Sequence, residues 1–285
     1  MSAADGQATP VRGRIGGAAF GNGVLMRSPH FWAWARDDGT VTVRPVRTLL
    51  ARHRLLRLPL VRSVVSFGEM IGLMVALHAR NGWRRIARLL LWIALWVAAD
   101  IGLSLLLPYV LPGHWTTQDV LLGVADFGLA LLALRQGLGR DVWRYHGAEH
   151  KAVNAYEAGV DLDDLQTVAR FSRVHDRCGS NLVVIVWLLL AIAYVALSLP
   201  LDGPLGILIA LAVMVVALEL FRQVVRRPRS LASRVLLAGG KVLQRHVTTR
   251  EPEPRHLRLA CAALSKVIEL ERERASAGMQ TASER

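Results

Sequence analysis

Four long apolar runs dominate the pattern of hydrophobic and polar positions along the chain. Each is close to the ~20 residues that an α-helix needs to cross the core of a bilayer. They occupy residues 89–110, 117–138, 182–199 and 204–224. The connections inside each pair, 112–116 and 200–203, are short and contain no Lys or Arg. The pattern therefore predicts four transmembrane helices, arranged as two hairpins.

The remaining polar regions are rich in arginine. They are the segment before the first run, the segment 135–181 and the tail after Arg222. Lys and Arg are enriched in the cytoplasmic loops of membrane proteins, so all three regions are expected on the cytoplasmic side, together with both termini.

A half-apolar stretch at 61–79 precedes the first run and contains Arg62 and Glu69. It predicts a helix that lies in the membrane interface or caps the bundle from inside. A fifth span at this position is the alternative, but it would place the basic N-terminal arm outside and break the charge pattern.

The N-terminal arm contains short alternating segments. Residues 31–36 and 40–44 alternate between apolar and polar positions on either side of Asp38-Gly39, which predicts a β-hairpin. The glycine-rich run 15–27 before it indicates tight turns and close backbone approach, and residues 1–12 are expected to be disordered. The fold class is thus an all-α polytopic membrane protein with a small N-terminal β-hairpin and cytoplasmic helices.

These elements divide the chain into five segments. We expect a glycine-rich and basic N-terminal region with the hairpin and the interfacial helix, a first transmembrane hairpin, a cytoplasmic loop, a second transmembrane hairpin and a cytoplasmic C-terminal region. In chain order they cover residues 1–87, 88–138, 139–181, 182–224 and 225–285.

The cytoplasmic loop predicts two helices. Asp141 is placed to cap a helix through Ala158, with Gly159 as its stop. Asp161 is placed to cap a second helix that reaches about Val174. The C-terminal region predicts an amphipathic helix over 257–274. Its apolar side carries Leu257, Ala260, Leu264, Val267 and Ile268.

The cytoplasmic loop also carries the motif H-x-x-E-H. His146 and His150 are four residues apart and share one face of a helix. With Glu149 beside them, the motif is typical of two imidazole ligands to a metal and a carboxylate that activates water. The alternative is that the histidines only pack the helix against neighbouring loops.

Three further residues of this loop are candidate metal ligands. Glu157 follows His150 by seven residues on the same face, and His175 and Cys178 lie where the chain enters the third apolar run. Catalytic zinc commonly has three protein ligands and a water, so zinc is the expected divalent metal. Cys178 lacks the C-x-x-C pairing of a structural zinc site, and a buried cysteine beside a capping histidine is the alternative.

The motif residues predict a division of roles in a hydrolytic site. Glu149 would be the general base, and Lys151 or Arg177 would stabilise an oxyanion. Asp100 and Asp126 lie inside the first two spans, where carboxylates usually face the interior of the bundle. They are candidates for a transport path or for hydrogen bonds between helices.

The feature of the composition that bears on the partners of the protein is its charge. The chain has 35 Lys and Arg against 22 Asp and Glu, a formal net charge of +13. In a soluble protein this excess would suggest nucleic acid. Beside membrane spans it favours the lipid bilayer and its anionic headgroups as partners, so no nucleic acid is expected. The two cysteines, Cys178 and Cys261, do not form a disulfide framework.

Several of these motifs together resemble the YqhQ-like bacterial membrane proteins, a family of unknown function. The resemblance covers Gly16-Gly17 with residues 23–29, the motif 145–151 with Glu157, the motif around His175 to Gly179, and residues 248–252. It implies a protein of the bacterial cytoplasmic (inner) membrane and, by the usual label of such proteins, a metal-dependent enzyme. The family's opening motif carries a glutamine and a glutamate where this chain has Ala18 and Asn22.

The function that we predict is a metal-dependent hydrolase on the cytoplasmic membrane surface, acting on an unidentified substrate. A non-enzymatic membrane scaffold, assembly factor or lipid-binding protein is the alternative, followed by a small transporter. A second copy of the chain is a candidate partner.

Overall fold

The computed structural model describes residues 15–78, 83–110, 115–195, 197 and 203–283. The strands are β1 Gly16–Phe20, β2 Gly23–Arg27, β3 Phe31–Arg36 and β4 Val41–Pro45. The helices are α1 Leu49–Arg52, α2 Val61–His78, α3 Trp83–Val110, α4 Trp115–Leu138, α5 Arg140–Ala158, α6 Leu165–Ala169, α7 Gly179–Val195, α8 Gly203–Arg226, α9 Leu231–Leu243 and α10 Pro254–Ser283. A 3₁₀ turn covers Arg54–Arg57 and a π turn covers Gln244–Thr248.

The described residues form two compact units. The first, here called the sheet unit, is drawn from Met1–Arg47, Asp141–His175 and Thr249–Arg285. The second, here called the helical unit, is drawn from Thr48–Arg140 and Asp176–Thr248. The expected disorder of residues 1–12 lies outside the described residues, as does most of the predicted connections 112–116 and 200–203.

The sheet unit contains a four-stranded antiparallel meander in the order β1-β2-β3-β4. The predicted hairpin is present as β3 and β4, with Gly39 in the left-handed region at a φ of 83°. The prediction of a single hairpin was wrong, because the glycine-rich run forms β1 and β2 around a two-residue turn. Gly23 explains part of this difference: a side chain there would collide with the Ala35 carbonyl of β3, so the pairing requires a glycine.

Helix α10 packs against β2 and β3 and supplies the other half of the core of the sheet unit. The five apolar positions predicted to share its buried side are all at most 5 % exposed. The helix runs from Pro254 to Ser283, several residues beyond the predicted 257–274 at each end. Burial of this apolar stripe, rather than helix propensity alone, stabilises such a helix in water.

Helix α5 follows the predicted pattern closely. It begins at Arg140, and Gly159 ends it with a φ of 83°. The prediction of Asp141 as its cap was wrong, because Asp141 lies within the first turn of the helix. The predicted second helix was wrong in start and length: α6 covers only Leu165–Ala169. Its cap is Asp164, which accepts a hydrogen bond from the Thr167 amide at 3.0 Å. Asp161 instead closes a local turn by accepting from the Asp163 amide at 3.1 Å.

The helical unit contains three helices that are long and apolar enough to cross a membrane: Trp83–Val110, Thr117–Leu138 and Gly203–Arg226. They correspond to the first, second and fourth predicted spans. At the predicted third span lies α7, a shorter apolar helix of 17 residues. The structure thus shows three candidate spans among the described residues rather than the four expected.

Hydrogen bonds between apolar helices satisfy two carboxylates of the helical unit. Asp126 of α4 accepts from the Trp96 indole of α3 at 2.7 Å. Asp119 of α4 accepts from the hydroxyl of Tyr194 in α7. The predicted alternative of a hydrogen bond between helices is therefore what the structure shows at Asp126. The half-apolar stretch predicted at 61–79 is helical through His78, as α2, and packs against α8.

Candidate metal centre

Helix α5 brings the three central residues of the H-x-x-E-H motif together. The rings of His146 and His150 meet edge to face, with centroids 4.4 Å apart. The Glu149 carboxylate lies beside both rings, with its Oε2 3.9 Å from Nε2 of His146 and 3.8 Å from Nε2 of His150. His150 and Glu149 are 3 % and 9 % exposed. One buried carboxylate oxygen is thus nearly equidistant from two imidazole nitrogens.

The hydrogen bond at the other nitrogen of His150 fixes the proton on its ring. Nδ1 lies 2.6 Å from the backbone carbonyl oxygen of Arg173. A carbonyl oxygen only accepts hydrogen bonds, so Nδ1 carries the proton and, in the neutral ring, Nε2 carries the lone pair. A backbone carbonyl at the second nitrogen is a common way to orient a histidine that binds a metal through the first.

His175 and Glu157 form a second pair in the same unit. Nε2 of His175 lies 3.6 Å from Oε2 of Glu157, and the His175 side chain is mostly buried. The His175 ring centroid is 5.8 Å from that of His150. The structure therefore brings five of the predicted site residues of α5 and its following loop into one neighbourhood, with Glu149 beside the first two histidines and Glu157 beside the third.

The site depends on a glycine of α5 that sequence analysis did not single out. A side chain at Gly147 would collide with the Arg250 carbonyl oxygen and come within 3.6 Å of Pro252. The Arg250 amide donates to the Trp143 carbonyl at 2.9 Å. Residues 250–252 of the 248–252 motif thus cross α5 at Gly147, which lies between His146 and His150 along the helix.

Lys151 takes part in an ion pair. Its Nζ donates to the Ala169 carbonyl at 2.5 Å and pairs with the Glu251 carboxylate. Glu251 also lies 3.7 Å from the Arg173 guanidinium. These contacts tie α5 to the end of α6 and to the 248–252 motif. The proposed oxyanion role of Lys151 stays a prediction.

Tyr145 has a packing role in the structure. It is 1 % exposed and its ring meets that of His256 edge-on, with centroids 4.5 Å apart. His256 is fully buried near the start of α10, and its Nδ1 accepts a hydrogen bond from the Glu253 amide at 3.2 Å. This bond resembles a capping box. Burial, reinforced by the neighbouring Arg255, lowers the pKa of His256.

Arg177 and Cys178 belong to the helical unit. Cys178 is buried, and its sulfur accepts a hydrogen bond from the Ser180 amide at 3.4 Å. The Ser180 hydroxyl in turn lies 2.8 Å from that of Thr248. The predicted roles of Arg177 and Cys178 stay predictions.

Two positions that differ from the opening motif of the resembling family lie in the sheet. Ala18 is buried and pairs with Leu25 across β1 and β2. Asn22 occupies the turn between these strands, where its carbonyl accepts from the Asp37 amide at 2.8 Å.

Comparison with known proteins gives a family and one curated relative. Residues 58–270 match a family described as "Protein of unknown function (DUF1385)". A stretch of 135 residues is 29 % identical to "Uncharacterized protein YqhQ" of Bacillus subtilis (strain 168) and covers 46 % of this chain. The match spans 41 % of that relative's length. No solved structure matches the chain.

Proposed function

We propose that this chain, which belongs to the DUF1385 family of proteins of unknown function, is a membrane-bound, metal-dependent hydrolase. The observation that supports this best is the arrangement of His146, Glu149 and His150, in which one buried carboxylate oxygen lies within 3.9 Å of Nε2 of both histidines. Two imidazoles and an adjacent carboxylate on one helix face suit a hydrolytic metal site.

The chemistry of the donors fits a divalent metal, with zinc as the first choice. Nε2 of His150 carries the lone pair that a metal needs, because its Nδ1 donates to Arg173. We assign His146 and His150 as ligands and His175 as the third. Glu157 lies beside His175 and would orient its ring, as carboxylates commonly do for histidine ligands. Cys178 is a further candidate ligand from its sequence motif.

Each residue then has a defined task. A bound zinc ion would lower the pKa of a water molecule towards neutrality and polarise the bond to be broken. Glu149 would accept the proton of that water and return it to the leaving group. Burial of Glu149 against β1 limits its movement and its access to bulk water, which keeps the carboxylate oriented towards the two histidines.

Metal analysis of the purified full-length protein tests this proposal. We expect about one zinc per chain in the wild type, and its loss in the double variant His146→Ala/His150→Ala. His246→Ala is the control, because His246 is an exposed imidazole of the helical unit. Glu149→Gln should keep the metal, and Cys178→Ser reports whether its thiolate contributes. A folded wild type that binds no divalent metal would overturn the proposal.

We also propose that the protein resides in the bacterial inner membrane with both termini cytoplasmic. Two cytoplasmic termini require an even number of crossings, so in this proposal the shorter apolar helix α7 crosses together with the three long apolar helices. The arginine-rich polar regions support the cytoplasmic side. Reporter fusions at each terminus, active only on one side of the membrane, test it. A periplasmic signal from either terminus would contradict it.

An alternative function is binding of anionic lipid by a non-enzymatic membrane scaffold, which an arginine cluster of the helical unit favours. Arg62 of α2 pairs with Glu219 of α8 at 3.0 Å, and the Ser63 hydroxyl donates to the same carboxylate at 2.8 Å. Arg222 and Arg226 follow Glu219 by about one and two helical turns on the same side of α8, so basic residues outnumber the one carboxylate at this end of the helix.

The two functions predict different results. For a lipid-binding scaffold, Arg222→Gln/Arg226→Gln reduces the phosphatidylglycerol that copurifies with the protein, and Glu149→Gln has no phenotype. Removal of α10, in contrast, does produce a phenotype in this case. For the hydrolase, Glu149→Gln reproduces the phenotype of the histidine variants.

A further inference from the structure

Polar side chains of α5 hold the segment between α6 and His175 by its backbone carbonyls. Lys151 donates to the carbonyl of Ala169, and His150 donates to that of Arg173. Asn154 donates from Nδ2 to two carbonyls, at 2.7 Å to Ser172 and at 3.1 Å to Val174. The segment is irregular, so its carbonyls lack the partners that a helix or sheet would provide. Side chains of α5 take their place.

The two carbonyls bound by Asn154 flank Arg173, whose own carbonyl holds His150. The orientation of the Asn154 amide follows from its partners, because only the NH₂ end can donate to two carbonyl oxygens. A primary amide has two N–H donors, one for each carbonyl. Asn154 lies four residues after His150 and eight after His146, on the same face of α5. Val174 is also the residue directly before His175.

We propose that Asn154 is a positioning residue for this site. It fixes the Arg173 carbonyl against Nδ1 of His150 and thereby keeps the lone pair of that ring on Nε2. It also fixes the backbone from which His175 projects. The metal part of this inference rests on the proposed function, whereas the position of the proton on His150 does not.

A separate residue is needed because the segment's own hydrogen bonds do not fix its backbone. Within it, the Val174 amide bonds to the Ser172 hydroxyl at 3.0 Å, which closes only a local turn. Without Asn154, the carbonyls of Ser172 and Val174 turn to water and the Arg173 carbonyl loses its fixed place. The neutral His150 ring then exchanges between its two tautomers.

The test uses ¹⁵N-histidine in the full-length protein, reconstituted in liposomes without metal and held at pH 8. The ¹⁵N shifts of His150 are identified by their loss in His150→Gln. We expect the wild type to show Nδ1–H for this ring and Asn154→Ala to show a mixture of tautomers. Gln166→Ala is the matched control, because Gln166 is an exposed amide on the neighbouring α6. It should match the wild type.

Zinc affinity, measured by competition with a chromophoric chelator, gives the second readout. Loss of a group that orients a ligand typically weakens metal binding by about 10–100-fold, and we expect Asn154→Ala to fall in this range while Gln166→Ala is unchanged. Asn154→Asp, which retains the size but removes both donors, should behave like Asn154→Ala.

The outcomes separate the two proposals. A tautomer change in Asn154→Ala supports the positioning role even if the wild type binds no zinc, a result that would overturn only the metal-dependent function. An Nε2–H ring at His150 in the wild type overturns the positioning role without any variant of Asn154 having to fold. An unchanged tautomer in a folded Asn154→Ala also overturns it.

Discussion

Gly17 of β1 lies directly against the side chain of Glu149. A Cβ atom on Gly17 would be 2.7 Å from Cγ and 3.0 Å from Cδ of Glu149, and 2.7 Å from the Leu25 carbonyl of β2. At Gly16 the same construction meets nothing within 4 Å. Of the two adjacent glycines, only the second is required by the packing of the candidate base against the sheet.

Gly17→Ala is therefore expected to harm the site and Gly16→Ala to be tolerated. The added methyl group must displace either a sheet carbonyl or the Glu149 side chain, and overpacking of this kind costs about 1–3 kcal/mol. Thermal unfolding of the full-length protein, followed by tryptophan fluorescence, should show a lower midpoint for Gly17→Ala only. Equal midpoints for the two variants would contradict the contact.

Gly147→Ala should have a larger effect, because its added methyl group would lie 2.2 Å from the Arg250 carbonyl oxygen, closer than the 2.7 Å between a methyl group on Gly17 and the Leu25 carbonyl. The segment that crosses α5 at this point has to move away, and the bond from the Arg250 amide to the Trp143 carbonyl is lost with it. Gly68→Ala in α2, where nothing lies within 4 Å, is the control. It should be neutral or slightly stabilising, since alanine favours a helix by about 1 kcal/mol over glycine.

These contacts show which parts of the fold the sequence predicts. Helix α5, its stop at Gly159 and the apolar side of α10 follow from local periodicity and capping. Strands β1 and β2 do not, because Gly-Gly-Ala-Ala-Phe and Gly-Val-Leu-Met-Arg both lack the alternation of apolar and polar residues that marks a strand. Helix α10, which packs against β2 and β3 and helps to stabilise the sheet, is distant in sequence. The predicted start of α6 was wrong because Asp161 and Asp164 are both suitable helix caps. The structure shows that Asp164 is the one that caps the helix.

The candidate site likewise has one part that the sequence predicts and another that it does not. The pair His146 and His150, with Glu149 between them, is a local helical pattern and could be predicted. The partners that orient these residues could not, because they come from remote segments and act through the backbone. Two examples are the Arg173 carbonyl, which accepts the hydrogen bond from His150, and Gly17, which leaves room for the Glu149 side chain. Neither contributes a reactive side chain that a sequence motif could reveal.

The His30–Glu271 pair predicts a dependence of stability on pH. Glu271 is 4 % exposed and accepts from the His30 amide at 3.0 Å and from its Nδ1 at 2.9 Å. Burial raises the pKa of Glu271, but the hydrogen bonds from Ser28 and His30 outweigh it, so the net pKa lies below the ordinary value of 4.5. A depressed carboxyl pKa stabilises the fold above that value, and the contribution is lost as the pH falls through the pKa of the folded state.

We therefore expect the unfolding midpoint of the wild type to fall as the pH is lowered from about 5 towards 3, the region in which carboxyl groups with lowered pKa values take up protons. Glu271→Gln should start lower at neutral pH and fall less steeply. Glu269→Gln is the control, since Glu269 is half exposed and pairs with the nearby Lys266. A parallel fall in all three proteins would show that other carboxyl groups dominate.

The Lys151–Glu251 pair predicts an asymmetry between its two partners. The Lys151 side chain is 6 % exposed, whereas that of Glu251 is 66 % exposed. Removing Lys151 leaves a carboxylate that water can solvate. Removing Glu251 leaves a buried ammonium group with the Ala169 carbonyl as the partner shown for it. A buried charge that loses its partner costs more than an exposed one.

Glu251→Ala should accordingly destabilise the sheet unit more than Lys151→Met, by about 1–3 kcal/mol. Chemical unfolding of the two full-length variants measures the difference. Glu253→Ala serves as the control in the same turn, because Glu253 pairs with the partly exposed Arg144 and the exposed Arg255 rather than with a buried cation. The same variants test the predicted oxyanion role of Lys151. If Lys151→Met keeps the stability of the wild type but loses activity, the ammonium group acts in catalysis. If Glu251→Ala loses both together, the pair acts by holding α5, α6 and the 248–252 motif in place.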